Sequence, residues 1–319
     1  VGENFDGHQF VIKAIEKGAA AVIGTQPLGS LGVPYVQIQG DDRLALAKFS
    51  AAFYDHPSRE LIVIGVTGTD GKTTTTNLVF HILQTAGIPV GMISTVNAVI
   101  GDEDMDTGFH VTTPESPDIQ RYLAQMHQAG LTHVVLETTS HGLVQKRVAE
   151  VDYDLAAVTN VTHEHLDYHK TYKGYLQAKG KLFEALAQPG GAPKGVEKLA
   201  VLNKDDESYG YLAQRVPVQK ISYSLSEDAD LWADAIENTP SELRFSVHST
   251  KGNFRIKTPL IGRYNVHNSL AAIGLTVIGL DVPIKAAQEA FTTVATVPGR
   301  MERIDMGQNF LAIVDFSHP

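Results

Sequence analysis

The chain has 319 residues, of which 43% are hydrophobic and 19% charged, and its formal net charge is −10. This length is enough for about two domains. The acidic balance argues against nucleic acid as a partner, because nucleic-acid binders need a basic face to neutralise phosphates. Cysteine is absent, which excludes disulfides, zinc ribbons and thiol nucleophiles and fits a reducing cytoplasm. No run approaches the ~18 consecutive apolar residues of a membrane span, so we expect no membrane insertion.

The N-terminal part of the chain contains two short units of helix and strand. "GHQFVIKAIEKGAAAVIG" has apolar residues at helical spacing followed by an apolar strand, and "VPYVQIQGDDRLALAKFSAAFY" predicts a strand and then a helix. The segment "YDHPSREL" indicates a linker. We predict a small, incomplete α/β domain over residues 1–59, a central domain over residues 60–312 and the start of a further domain at residues 313–319.

Apolar strands and helices alternate regularly from Leu61 onward. "LIVIGVTG" predicts a strand and residues 73–86 a helix, followed by the strand "VGMISTVNAVI" and the helix "SPDIQRYLAQMHQAG" with Ser116 as its N-cap. "THVVLETTS", "DLAAVTNV" and "KLAVLN" are further buried strands. This order predicts an α/β fold of the phosphate-binding-loop (P-loop) type, with a doubly wound, mostly parallel central sheet.

The hydrophobic pattern changes before the C-terminal helices. "ELRFSVHST" and "NFRIKTPL" alternate apolar and polar residues around "KG", which predicts a small antiparallel hairpin at the sheet edge. Two helices are expected after it, over residues 268–280 and 283–295. "FLAIVDFSHP" then begins with one more apolar strand.

The stretch "TGTDGKTTTT" resembles a phosphate-binding loop with unusual spacing. Gly71, Lys72 and Thr73 supply the ending of the common motif, but the first glycine of that motif is missing, and Gly68 with Gly71 gives a tighter G-x-x-G-K-T form. Backbone N–H groups of such a loop can surround phosphate oxygens, the lysine can reach the terminal phosphates and the threonine hydroxyl can ligate Mg²⁺. The alternative is a glycine turn with a surface lysine. The preceding strand and following helix favour the phosphate site.

Two further segments place polar groups after apolar strands. Glu137 follows "HVVL" and is expected at the carboxyl edge of the sheet, where ligands bind in doubly wound folds, either as a Mg²⁺ ligand or as a solvated carboxylate. The segment "TNVTHEHLDYH" is a weak zinc signal without cysteine, so we expect most of its side chains to be structural and one or two functional. Its chemistry-bearing residues are His163, Glu164, His165, Asp167 and His169.

Two lysines lie in the predicted helix "YLQAKGKLFEAL". By the simplest interpretation, Lys179 and Lys181 are both solvated. The residue pattern alone leaves open which of them, if either, is functional.

The chain resembles the Mur ligase family, and within it the member that adds the third residue of the peptidoglycan stem peptide. The resemblance covers nearly the whole chain and rests on motifs in the right order. They are "DGHQF", "TGTDGKTTTT", "TTPES", "LETTSHGLVQKRV", "TNVTHEHLDYH", "AKGKLF", "LIGRYNVHNSLAA", "PGRMERID" and "VDFSHP".

The resemblance implies an ATP-dependent amide ligase. In this family the D-Glu carboxylate of UDP-N-acetylmuramoyl-L-Ala-D-Glu attacks the γ-phosphate of ATP, and an amino-acid amine, here of diaminopimelate or lysine, displaces phosphate from the acyl phosphate. The implied cofactors are ATP and Mg²⁺, the implied partners are the UDP-linked dipeptide and the amino acid, and the implied state is a monomer. The incomplete first domain would then belong to the UDP-substrate site.

The resemblance also implies roles for individual residues. The expected catalytic residues are Lys72, Glu137, His165 and Lys179. The expected ATP-binding residues are Gly68, Thr69, Asp70, Gly71, Lys72, Thr73 and Thr74 for the phosphates, Asn268 for adenine, Arg300 for the terminal phosphate and Asp315 for the ribose. One Mg²⁺ would lie on Thr73 and Glu137, and a second on His165 and a carbamylated Lys179, which separates Lys179 from Lys181. The dipeptide substrate would lie on Thr112, Thr113, Thr139, Gln145 and Arg147.

Alternative functions stay open beside this one. Folylpolyglutamate synthase and cyanophycin-synthetase-like ligases share the loop and the lysine, but "TTPES" and "SHGLVQKRV" argue against both. The amidotransferase-associated Mur-like ligase carries cysteines, which this chain lacks. A non-catalytic nucleotide-binding relative is disfavoured because all four expected catalytic residues are present. We also expect that the domain selecting the amino acid lies outside this chain, so that these residues alone have little ligase activity.

Overall fold

The structure, a computed structural model, describes residues 6–106, 113–188, 194–295, 299–304, 306–310 and 312–315. Thr112, one of the expected substrate residues, lies outside these ranges.

Ten α-helices occur within the described residues. They are α1 (Val11–Glu16), α2 (Asp42–Phe53), α3 (Lys72–Thr85), α4 (Ser116–Gln128), α5 (Ser140–Val144), α6 (Leu166–His169), α7 (Tyr172–Leu186), α8 (Tyr209–Arg215), α9 (Tyr264–Ile273) and α10 (Ile284–Thr293).

Fifteen strands occur within the same ranges. They are β1 (Val22–Gly24), β2 (Tyr35–Gln37), β3 (Ile62–Thr67), β4 (Val90–Ile93), β5 (Asn97–Ile100), β6 (Glu103–Asp106), β7 (His133–Glu137), β8 (Leu155–Val158), β9 (Leu199–Asn203), β10 (Gln219–Ser224), β11 (Leu231–Asn238), β12 (Leu243–Ser249), β13 (Gly252–Thr258), β14 (Glu302–Ile304) and β15 (Ala312–Val314).

The central feature is a mixed sheet with the order β13-β12-β11-β10-β9-β8-β3-β7-β4-β5-β6. The strands from β11 to β4 in this order run parallel. Because β3 has β7 on one side and β8 on the other, the chain crosses over in opposite directions around β3. Ligands bind at such switch points in open α/β sheets. The predicted doubly wound, mostly parallel sheet is confirmed.

Both ends of the sheet are antiparallel. The predicted edge hairpin is β12–β13, and β11 extends it by also pairing antiparallel with β12. At the other end, the prediction of one strand over "VGMISTVNAVI" is wrong, because the run folds into β4 and β5, paired antiparallel. Ser94 makes the turn between them, since its N–H donates to Asn97 O at 2.8 Å and its Oγ accepts the Val96 N–H at 3.2 Å. Serine offers the backbone this alternative to a continuous strand.

Two helix starts differ from the sequence prediction. The N-cap of α4 is Glu115 and not Ser116, because Glu115 O accepts the Asp118 and Ile119 N–H groups while Ser116 is already helical. Helix α9 begins at Tyr264, before the predicted residue 268, although Asn and Val are weak helix formers. Burial of Val266 against the core compensates for that weakness.

Helices cover both faces of the sheet. Adjacent residues of a strand point to opposite faces, so they pack against different helices. Ile64 belongs to the cluster that contains α3, α9 and α10, and Val63 to the cluster that contains α4, α7 and α8. The parallel strands are therefore buried on both faces, which fixes the positions of the loops at their carboxyl ends.

Two small sheets lie outside the central one. Strands β1 and β2 pair parallel in the N-terminal unit, and β14 pairs antiparallel with β15. Strand β15 spans the predicted boundary between residues 312 and 313. The three predicted domains and their boundaries stay predictions. No helix in the described part of the chain combines the length and apolar character needed to cross a membrane.

Candidate functional site

The loop between β3 and α3 requires glycine at two positions. Gly68 has a φ of +151° and Gly71 a φ of +76°, a region that residues with a Cβ rarely adopt. A Cβ on Gly68 would also lie 1.8 Å from Thr159 Oγ1. The backbone can therefore turn sharply from β3 into α3 while packing closely against the end of β8.

The loop presents a defined set of N–H groups. Thr69 N–H donates to Asn160 O at 2.8 Å and Asp70 N–H donates to Asn160 Oδ1 at 3.0 Å. The first bond of α3 runs from Thr75 N to Gly71 O at 2.9 Å. The N–H groups of residues 71–74 thus precede the first helical bond, and the N-terminus of a helix attracts anions through such groups and through its dipole.

A small concavity lies at this helix start. Its volume is about 50 Å³, and its walls are Thr69, Asp70, Gly71, Lys72, Thr73, Thr74 and Arg300. The structure therefore brings Arg300 to the predicted phosphate loop from more than two hundred residues away in sequence. Two cations and a helix N-terminus converge on one small space, which suits a phosphate group.

Two lysine side chains hold loop carbonyls. Lys72 Nζ donates to Thr69 O and Lys179 Nζ donates to Gly68 O, both at 2.5 Å. Burial lowers the pKa of Lys72, and the charges of Glu137 and Asp70 oppose this. Burial also lowers the pKa of Lys179 well below its ordinary value, and the nearby Lys72 charge adds to the effect. Lys179 is only 1% exposed, so the interpretation of Lys179 as a solvated lysine is wrong.

Glu137 is buried at the end of β7, 1% exposed, so it is not a solvated carboxylate. Thr73 Oγ1 donates to its Oε1 at 3.2 Å, Thr95 Oγ1 donates to the same oxygen at 2.8 Å, and Thr95 N–H donates to Oε2 at 3.1 Å. A carboxylate and a hydroxyl are the hard oxygen ligands that Mg²⁺ takes, usually together with waters and phosphates. Thr73 and Glu137 therefore fit one Mg²⁺.

The histidine-rich segment packs mostly against aromatic rings. His163 stacks on Tyr172 with ring centroids 4.6 Å apart, and His169 Nε2 lies 3.0 Å from Ser140 Oγ. Burial, followed by the positive charge of His141, lowers the pKa of His169 to about 4. No cluster of three or more His, Asp or Glu residues suited to a metal occurs among the described residues.

His165 is the most open of the expected metal residues. Its side chain is 47% exposed and its φ is +53°. Its ring lies 5.9 Å from the Tyr175 ring, and Lys179 Nζ lies 4.3 Å above the same ring. His165 and Lys179 thus share Tyr175 as a neighbour.

Three of the expected dipeptide-binding residues, Thr113, Thr139 and Arg147, form a network on the other side of Glu137, at its backbone carbonyl. Thr113 Oγ1 lies 2.9 Å from Thr139 Oγ1 and donates to Glu137 O at 3.4 Å. Arg147 donates to Thr113 O at 2.6 Å and pairs with Glu115 at 2.9 Å. Its Nε is buried with no hydrogen-bond partner among the described residues.

Three further expected residues lie near this centre. Gln145 Nε2 donates to Tyr168 OH at 3.4 Å. Asn268 is 4% exposed and lies against Gly71, with its amide donating to Asn265 Oδ1 at 2.9 Å. Asp315 is exposed and lies close to Tyr264, whose pKa is raised by burial and then by the Asp315 charge.

Comparison with known proteins identifies the family. A sequence profile described as the Mur ligase middle domain matches residues 66–276. The chain belongs to the Mur ligase family. The matched segment begins within β3 and contains the phosphate loop, Glu137, His165, Lys179 and Asn268. The family predicted from the sequence motifs is confirmed.

Two curated Mur ligases show high similarity. The chain is 41% identical over 317 residues to a Geobacillus thermodenitrificans protein named UDP-N-acetylmuramoyl-L-alanyl-D-glutamate--2,6-diaminopimelate ligase, covering 99% of this chain and 63% of that protein. It is 40% identical over 326 residues to the UDP-N-acetylmuramyl-tripeptide synthetase of Roseiflexus sp., covering 99% and 64%. The chain thus spans less than two thirds of the length of these relatives.

Solved structures agree with the fold. A structure of a UDP-N-acetylmuramoyl-L-alanyl-D-glutamate 2,6-diaminopimelate ligase superposes with a TM-score of 0.81 at 28% identity, covering 97% of this chain and 61% of that one. The folylpolyglutamate synthase of Mycobacterium tuberculosis, complexed with ADP and AMPPCP, gives a TM-score of 0.69 at 15% identity, covering 86% and 67%. The second likeness shows the shared Mur ligase fold alone.

Three residues of the candidate site were not predicted from the sequence. Thr95 donates twice to Glu137, and Thr159 and Asn160 bind the phosphate loop. Their signal was available in part, because Thr159 and Asn160 directly follow β8 and therefore lie at the ligand edge of the sheet.

Proposed function

We propose that this chain forms the nucleotide-binding part of an ATP-dependent amide ligase that adds the third residue, diaminopimelate or lysine, to UDP-N-acetylmuramoyl-L-Ala-D-Glu in peptidoglycan synthesis. The names of the Geobacillus and Roseiflexus relatives support this substrate class. One observation carries the proposal. The Glu137 carboxylate accepts a hydrogen bond from Thr73 of the phosphate loop, and the Glu137 backbone carbonyl accepts one from Thr113 of the opposite network. The phosphate and the substrate carboxylate would therefore bind on the two sides of Glu137, close to each other.

The chain's own cations and N–H groups would bind the triphosphate. Residues 71–74 supply the N–H groups at the start of α3, and Lys72 and Arg300 line the same concavity. The attack of an anionic carboxylate on an anionic γ-phosphate needs this positive surrounding to offset repulsion. Asn268 beside Gly71 and Asp315 beside Tyr264 would hold adenine and ribose. Gly68 would contribute by allowing the sharp backbone turn from β3 that directs the loop toward the phosphates.

The opposite network would hold the dipeptide. Thr113, Thr139, Gln145 and Arg147 are assigned to the dipeptide, together with Thr112 from the sequence resemblance. The Arg147 Nε–H, which has no hydrogen-bond partner within the described residues, would donate to a substrate carboxylate. The D-Glu carboxylate oxygen would bond to the γ-phosphorus as the bond to the ADP oxygen breaks. The neutral amine of the amino acid would then attack the acyl carbon, lose a proton and expel phosphate.

Mg²⁺, when bound, would supply further positive charge at the phosphate oxygens. Thr73 and Glu137 are the residues that would hold one ion, and His165 with a carbamylated Lys179 would hold a second. Burial favours the neutral amine of Lys179, and a neutral amine can add to CO₂, release a proton and leave a carbamate anion. This modification would turn a buried base into a carboxylate-like ligand.

The decisive experiment measures ATP-dependent phosphate release by the full-length protein. UDP-N-acetylmuramoyl-L-Ala-D-Glu is present or absent, and diaminopimelate and lysine are compared as acceptors. We expect release that requires the dipeptide and one of the two amino acids. Release with a folate acceptor and none with the dipeptide would contradict the proposal.

We further propose that the enzyme is cytoplasmic, since ATP and UDP-linked precursors are cytoplasmic metabolites. We also propose that it acts as a monomer.

A further inference from the structure

The segment that follows β8 binds the backbone of the phosphate loop at several atoms. Asn160 Oδ1 accepts the Asp70 N–H at 3.0 Å, and Asn160 Nδ2 donates to Asp70 O at 3.2 Å. Thr159 Oγ1 donates to the same Asp70 O at 2.5 Å, and Asn160 O accepts the Thr69 N–H at 2.8 Å. One amide side chain thus holds both polar atoms of one loop residue.

These bonds decide which way the loop peptides face. The N–H groups of Thr69 and Asp70 point to Asn160, so they are not free for a ligand. The carbonyls of Gly68, Thr69 and Asp70 are held by Lys179, by Lys72 and by the Thr159–Asn160 pair. The carbonyl oxygens, which would repel phosphate, are therefore engaged by donors.

The pair is itself held from the neighbouring strands. Thr159 O accepts Asn203 Nδ2 at 2.6 Å and the Tyr223 hydroxyl at 3.1 Å. Thr159 N–H donates to Thr67 O at 3.0 Å. Because β3, β9 and β10 all contribute, the position of Asn160 is set by the sheet rather than by the loop.

We propose that Asn160 is a positioning residue for the nucleotide triphosphate. It locks the first half of the loop so that the N–H groups of residues 71–74, and not those of residues 69 and 70, face the phosphates. This inference rests on the proposed function, in which the loop binds ATP. Thr159 supports the same peptide through its hydroxyl.

The test compares ATP affinity and turnover in the full-length protein. Asn160→Leu keeps the side-chain size and removes both polar atoms, and Thr159→Val removes only the hydroxyl. We expect about a tenfold weaker Kd for ATP with Mg²⁺ in Asn160→Leu, measured by titration calorimetry, and about a threefold weaker Kd in Thr159→Val. KM for ATP should rise in parallel, with KM for the dipeptide unchanged.

The controls separate positioning from stability. Asn253→Leu makes the same chemical change on the exposed edge strand β13 and should leave the Kd for ATP unchanged. A purely structural role of Asn160 would lower kcat through a smaller active fraction and leave both KM values as they are, which would overturn the inference. If Asn160→Leu does not fold, wild-type affinity in Thr159→Val would overturn it instead. Failure of the wild type to bind ATP would overturn the proposed function and this inference with it.

Discussion

Thr73 and Glu137, 64 residues apart in sequence, are joined by a 3.2 Å hydrogen bond at the carboxyl edge of the central sheet. Thr73 belongs to the first turn of α3, and Glu137 is the last residue of β7. Because β3 and β7 are parallel neighbours, whatever follows them in the chain meets at this edge. The pair gives the phosphate loop a fixed anionic neighbour.

Replacing this carboxylate should weaken the response to Mg²⁺. Glu137→Gln keeps the shape and can still accept one of the two Thr95 bonds on its single amide oxygen, but it removes the negative charge. We expect the Mg²⁺ concentration for half-maximal phosphate release to rise about 10- to 100-fold. Glu103→Gln, on the exposed edge strand β6, is the matched control and should behave as the wild type. An unchanged Mg²⁺ dependence in Glu137→Gln would remove Glu137 from the metal site.

Removing the buried lysine should abolish turnover. Lys179→Ala deletes the group assigned to the carbamate, so we expect phosphate release to fall at least about 100-fold. A short carboxylic acid such as acetate should restore part of the activity by filling the vacated space with a carboxylate. The rate is measured against acetate concentration.

Lys181→Ala is the control for that experiment. Lys181 lies on the same helix and is partly exposed, so its removal should have little effect on turnover and acetate should not change the rate. Full activity in Lys179→Ala, or equal losses in both variants, would show that the lysine assignment is wrong.

Local patterns predicted most of the fold and the central residues of the candidate site. Alternating apolar strands and helices predicted the parallel sheet, and the rule that carboxyl ends of parallel strands meet predicted that the loop and Glu137 lie together. Lys179 could also have been separated from Lys181, because it lies three residues after Leu176 and four before Phe183, on the buried helix face. Its burial follows from that spacing.

The residues that were missed act through long-range contacts. Asn160 reaches Asp70 across 90 residues and Thr95 reaches Glu137 across 42. A polar residue in a loop has no periodicity that would show its partner. The turn at Ser94 was hidden for a related reason, since the apolar residues on either side of it look like one continuous strand.

A buried ion pair beside the linker should contribute strongly to stability. Lys194 Nζ donates to Asp154 Oδ2 at 2.7 Å and to Ser58 O at 2.8 Å, and the two side chains are 9% and 5% exposed. Lys194→Met would leave the carboxylate buried without its cation. We expect this variant to lose about 3 kcal/mol of unfolding free energy, measured by urea denaturation at pH 7.5.

The pH dependence of that loss provides a second check. Burial raises the pKa of Asp154, and Lys194 opposes the rise. In Lys194→Met the folded pKa should rise further above the unfolded value, so the variant loses stability as pH increases through that raised pKa and regains it as pH falls to the unfolded carboxyl value of about 4. Lys198→Met removes the 3.1 Å pair with Asp152 from a 27% exposed lysine and should cost less than about 1 kcal/mol.

His133 should make the folded state sensitive to mild acid. Burial at the start of β7 lowers its pKa to about 4, whereas an unfolded histidine titrates near 6.5. Between these values the unfolded chain binds more protons than the folded one, so stability is complete above pH 6.5 and falls as pH decreases toward 4. Because His133 is partly exposed, we expect about 1 kcal/mol of loss between pH 6.5 and 5 from this group.

Thermal denaturation of two histidine variants isolates this contribution. His133→Gln removes the titrating ring, so its Tm should decrease less than that of the wild type when pH is lowered from 6.5 to 5. His127→Gln, on the exposed side of α4, is the matched control and should follow the wild-type curve. Parallel curves for wild type and His133→Gln would mean that the acid sensitivity arises from other groups, with the half-buried His169 as the next to be tested.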